Sequence, residues 1–144
     1  MIKDTPTITA GAYSSLDAVG GKLEFEDART AFSAKGTITR ANISDKGKQD
    51  AHLYLVLFSE DFTATADNAA FAVSDADLLN VIGVIDFLAA SYIDFDANSF
   101  ISVEADLDFE LVSGGESLFG QLFVETSTPT YTSTSDLAVS LVIK

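Results

Sequence analysis

Apolar and polar residues alternate along most of this chain in short runs with a period of two, broken by turn residues. Such runs predict strands at Lys22–Glu26, Gly36–Ile43, His52–Phe58, Gly83–Phe87, Ser99–Val103, Ala105–Leu111, Leu118–Glu125 and Leu137–Ile143. The strongest is His52–Phe58. Leu53, Leu55 and Leu57 point one way, and Tyr54, Val56 and Phe58 the other, so the strand is expected to be central and covered on both faces. In the last strand, Leu137, Val139, Leu141 and Ile143 are the inward set.

Turn chemistry separates these runs. Asp45-Lys46-Gly47-Lys48 reads as a turn in which the glycine supplies a positive φ. Residues 59–73 read as a polar loop with a turn at Asp67-Asn68. Ser74 with Asp77 three residues on, just before Leu78-Leu79, is a helix-start signature and predicts one short helical turn. About eight strands without a long helix predict an all-β antiparallel sandwich, jelly-roll-like, as one domain over residues 19–144. Residues 1–18 are small, polar and weakly patterned. They predict an extended N-terminal arm that docks on a neighbour and can be removed without loss of folding. Ile2, Thr5, Pro6, Ile8 and Tyr13 are its contact candidates.

Charge changes the picture. The chain has 144 residues and a formal charge of −14, and no Lys or Arg lies between Lys48 and Lys144. That stretch holds sixteen of the twenty-two acids, whereas the first 48 residues carry seven cations against six acids. A surface of this sign repels phosphate backbones and anionic lipid, which argues against nucleic-acid and membrane partners. No apolar run approaches the roughly 18 residues of a membrane helix. No apolar h-region follows Met1, so no secretory signal is read. Cysteine is absent, which excludes disulfides and thiolate chemistry. The mean hydropathy is nonetheless +0.25. Apolar excess beside high charge points either to a compact Phe/Val core or to apolar surface covered by a partner or by copies of the chain itself.

Candidate chemistry is sparse. His52 is the only histidine, opens an apolar strand and has no Gly-x-Ser-x-Gly elbow to serve. Gly20-Gly21-Lys22 lacks the phosphate-loop spacing. Asp94, Asp96 and Asn98 match the first three ligand positions of a calcium loop, but Ser99 replaces the turn glycine and Ala105 the final glutamate. The alternative is an Asx-rich turn between strands. Glu104, Asp106, Asp108 and Glu110 fall at every second residue on one strand face, with no cation nearby in sequence. They form a solvated outer face or a contact for a basic partner, with Asp106 and Asp108 at its centre. A glycosidase pair among them would lack tryptophan platforms. No cofactor and no small-molecule substrate is expected.

The segment from Asp50 to Phe87, DAHLYLVLFSEDFTATADNAAFAVSDADLLNVIGVIDF, resembles virion structural proteins of tailed bacteriophages. The opening Ala12-Tyr13 and Asp17–Phe25, and the late Thr128-Pro129-Thr130-Tyr131 with Asp136-Leu137, are similar to the same group. The resemblance implies a non-enzymatic β-rich protein on the capsid surface, made in the bacterial host cytoplasm. Its implied role is decoration, or cement, with the major capsid protein as partner alongside homo-oligomer contacts. The other role open to such a protein is a head-fibre or tail-associated glycan- or host-binding module.

Overall fold

The computed structural model describes residues 1–29 and 33–144. Its strands are β1 (Ile2–Asp4), β2 (Ala18–Phe25), β3 (Lys35–Asp45), β4 (Leu53–Phe58), β5 (Val81–Phe87), β6 (Ile93–Asp94), β7 (Ser99–Glu110), β8 (Leu118–Val124) and β9 (Leu137–Ile143). The only helical pieces among the described residues are α1 (Asp75–Leu78) and a 3-10 turn at Ala89–Ser91. Two antiparallel sheets result, ordered β1-β9-β3-β7-β6 and β2-β8-β4-β5. The all-β antiparallel architecture read from the alternation is the one adopted.

The inward rows meet as expected. Leu53, Leu55 and Leu57 of β4, Leu137, Val139 and Leu141 of β9, and Leu23 and Phe25 of β2 share one core with Ile38, Ile43 and Ile101. β4 is central, between β8 and β5. Its other face is also covered, because the loop 59–73 folds back over it. Phe62 stacks on Phe58 with ring centroids 3.9 Å apart, and Phe71 on Phe123 at 4.6 Å. Together with Val56, these rings form a second, smaller core outside the sheet. Gln121 pins that loop from within: its Nε2 donates to the Gly20 and Thr65 carbonyls, and its Oε1 accepts from the Thr65 amide.

Ser74 caps α1 as read, accepting from the Asp77 amide at 3.1 Å and donating to its carboxylate at 2.8 Å. Other readings change. The two runs around Glu104 are one twelve-residue strand, β7, whose pairing with β3 shifts register between Ile38 and Arg40. A bulge, not a turn, separates them. Gly47 does not hold the positive φ of its turn; Lys48 and Asp50 do, at 48° each. What Gly47 supplies is space, since a Cβ there would stand 3.0 Å from Asp136 Oδ2 and 3.3 Å from the Tyr131 ring.

Candidate functional site

The two sheets leave two seams, and the interface candidates divide between them. At the first, β1 lies over β2 and pairs with β9, Ile2 opposite Leu141. The chain then runs inward. Pro6 is buried and Ile8 and Tyr13 are 2% exposed. The Tyr13 ring meets Tyr131 edge-on at 5.9 Å. Its hydroxyl donates to Asp67 at 2.6 Å and accepts from the Thr9 amide at 2.7 Å. Asp67 also accepts from the Thr9 hydroxyl and the Gly20 amide. Burial, then the Asp67 carboxylate, push the Tyr13 phenol up to about 12. The expected arm is therefore part of the sandwich, and residue 18 marks no boundary. Of its contact candidates, only Thr5 is exposed and Ile2 half-buried; Pro6, Ile8 and Tyr13 are core. The physical reason is Asp67, whose donors lie far away in sequence and draw the polar segment in.

The second seam, between β7 and β5, carries the acids. Glu104, Asp106, Asp108 and Glu110 are all exposed. Cations absent from their own stretch reach them across β3. Lys35 pairs with Glu110 at 2.9 Å, Arg40 lies opposite Glu104, and the Thr37 hydroxyl donates to Asp108 at 2.6 Å. The inward residues Val103, Ala105 and Leu107 are only half covered, as is Ile82 of β5. A shallow depression of about 570 Å³ opens here, lined by Lys35, Ile82, Asp108 and Glu110 among others. Elsewhere on the surface, on and around β5 and β6, Leu79, Val84, Leu88, Ile93 and Phe95 are exposed, with Ile93 and Phe95 at the Ser99–Phe100 end of β7. Sequence reading found the acid row through its period of two. The exposed apolar side chains escaped it, because Leu79, Leu88, Ile93 and Phe95 fall between the alternating runs and only Val84 lies within one.

The calcium candidates do not converge on a cation site. Asp94, Asp96 and Asn98 are exposed, and the Lys48 ammonium occupies their loop, 3.5 Å from Asp94 and 3.0 Å from the Phe95 carbonyl. The Phe95 amide donates to the Asn98 carbonyl at 2.8 Å, which makes the segment a turn. Among the described residues no three His, Cys, Asp or Glu side chains gather to hold a metal.

His52 stands between two carboxylates, with Nε2 2.6 Å from Asp86 and Nδ1 3.4 Å from Glu125. Its backbone amide donates to the Ser127 hydroxyl at 2.8 Å. Both ring nitrogens are thus turned toward carboxylates. The neighbouring Tyr54 phenol is pushed up, first by burial and then by the Asp86 and Glu125 charges. At the end of the sandwich where β3 meets β4, Asp45 is 1% exposed and accepts from the Gly47, Gln49 and Asp50 amides. Burial outweighs those bonds and holds its carboxyl above the usual range. Burial also pushes the nearby Tyr92 and Tyr131 phenols up.

No family model, no curated protein and no solved structure matches this chain. Among the described residues no helix is long and apolar enough to cross a membrane.

Proposed function

We propose that the chain is a non-enzymatic virion structural protein of a tailed bacteriophage, a capsid decoration protein with a jelly-roll fold. The strand order supports the jelly roll. With the two-residue β6 set aside, β1 pairs with β9, β2 with β8, β3 with β7 and β4 with β5, a long antiparallel ribbon wound into two sheets.

The observation that carries the functional reading is the division between the seams. One is sealed by the chain itself, and the other displays acids and apolar side chains to a partner. Catalysis has less in its favour, because both nitrogens of His52 are turned toward carboxylates. The glycan-binding alternative has no observation behind it: the ring stacks Phe58–Phe62 and Phe71–Phe123 belong to the second core. The mechanism is thermodynamic. A protein that binds only the assembled shell stabilises it by its binding free energy, repeated over many sites. The major capsid protein is the partner, and the capsid surface the location.

Quantitative mass spectrometry of gradient-purified virions tests this. A fixed ratio of this chain to the major capsid protein in intact heads is expected. Its absence from intact particles, or its recovery with tails alone, would overturn the assignment.

A further inference from the structure

We propose that the free edge of β7 accepts an extended, basic segment of another protein as an added strand.

Three observations converge on this edge. The first is backbone geometry. β6 pairs with β7 only at Ser99 and Phe100. Among the described residues, no other strand lies beyond β7 on that side. Thr37 and Lys144 exchange two backbone bonds of 3.0 Å, so the Thr37 amide and carbonyl face away from β7. Its cross-strand partner is Asp108, which therefore forms a non-hydrogen-bonded pair and turns its own N–H and C=O to the open side. The Leu111 amide bonds back to Ala34 at 2.8 Å, which sets the same alternation and places Glu110 outward too. A row of unpaired donors and acceptors is a template for another strand.

Burial gives the second. Val103, Ala105 and Leu107 belong to the inward row yet remain half covered, beside Ile82. An added strand would cover this row with its own inward side chains. Charge gives the third and selects the occupant. The outward row is Glu104, Asp106, Asp108 and Glu110. Lysine or arginine at alternate positions of the incoming strand would sit beside these carboxylates, and acidic residues would be repelled. A second copy of this chain pairing β7 to β7 sets acid against acid, so the edge rejects its own kind and admits a cationic strand.

Calorimetric titration of the full chain with a peptide of about eight residues alternating Lys and Val tests the proposal. The expected result is saturable binding, with amide hydrogen-exchange protection appearing at Asp108 and Glu110. N-methylation of the peptide at alternate amides keeps the charge and deletes the pairing donors, and should abolish binding. Asp106→Lys with Asp108→Lys turns two attractive cross-strand pairs repulsive and should weaken affinity by about tenfold or more. The milder pair Glu104→Gln and Asp106→Asn serves if the reversal disturbs the circular dichroism spectrum. No binding by the parent peptide, equal binding by the N-methylated peptide, or equal binding by the variants would each overturn the proposal.

Discussion

The seam at β1 and β2 and the seam at β7 and β5 belong to one sandwich but are finished in opposite ways. At the first, seventeen residues of chain precede β2 and are spent on closure: Pro6, Ile8 and Tyr13 are buried, and Asp67 gathers the polar groups that come with them. At the second, nothing comparable among the described residues covers β7 beyond Phe100. A segment with little hydrophobic periodicity thus does a core's work, and a segment with strong periodicity ends half open. Periodicity reports which face a residue takes; it does not report whether a second layer arrives to cover that face.

The largest test of this contrast is removal of residues 2–12. Loss of β1, Pro6 and Ile8 should abolish the cooperative thermal transition, and Ile8→Ala alone should cost about 2–5 kcal/mol by urea denaturation. A truncated chain that melts cooperatively near the parent would show the first seam to be dispensable.

Two glycines sharpen the comparison at the next level. Gly20 has a φ of +75°, and a Cβ there would lie 2.6 Å from Pro6 Cβ. Gly83 faces the other seam, where a Cβ would lie 2.8 Å from a terminal methyl of Leu107, a half-exposed side chain able to move outward. Gly20→Ala should therefore cost about 2–4 kcal/mol and Gly83→Ala about 1 kcal/mol or less, read from denaturant midpoints. Equal costs would mean that both seams are equally rigid.

The third test is alkaline. The Tyr13 phenol titrates higher in the folded protein than its ordinary value of 10.0, at about 12. Its contribution is therefore complete below the ordinary value and is lost as the pH climbs through the folded one. Parent stability should fall across that window, where the raised Tyr92 and Tyr131 phenols act in the same direction, and Tyr13→Phe should make the fall less steep. At neutral pH the same variant should lose about 1–3 kcal/mol with its bond to Asp67. Phenolate absorbance that rises well before unfolding in the parent and is missing from Tyr13→Phe would contradict the closed first seam.

The smallest effect belongs to the open seam. Asp106→Asn relieves repulsion from Glu104 and Asp108 and should stabilise by roughly 0.2–0.5 kcal/mol at low salt. The gain should shrink as the Debye length falls below about 10 Å. A loss of stability would show that Asp106 is engaged within the fold.

Much of the fold could be read in advance from particular residues. The two apolar faces of Leu53–Phe58 announced a central, doubly covered strand, and Ser74 with Asp77 announced the helical turn. What could not be read is long-range. Nothing local ties Tyr13 to Asp67, or Lys35 to Glu110. The lysine-free stretch looked unrelieved because charge was counted along the chain, whereas the sheet lays β3 with its cations beside β7. Asp94, Asp96 and Asn98 looked like ligands until the fold brought Lys48 among them. The edge of β7 was invisible because strand order, unlike strand identity, is fixed only when all the strands meet.

The pairing of Ile2 with Leu141 also sets a schedule. A ribosome adds roughly 5–20 residues each second, so β1 waits on the order of ten seconds or more before β9 exists. For the later part of that interval β2, β3 and β4 exist without their partners β8 and β9, in a topology whose contacts are mostly distant and hence slow to form. The nascent chain must stay unaggregated while it waits. From Asp50 onward every Asp, Glu, Lys or Arg that emerges before Lys144 is an acid. Neighbouring nascent chains on one messenger therefore repel each other more strongly the longer they grow. The acidity that shapes the finished surface would also act as a timer's safeguard during synthesis.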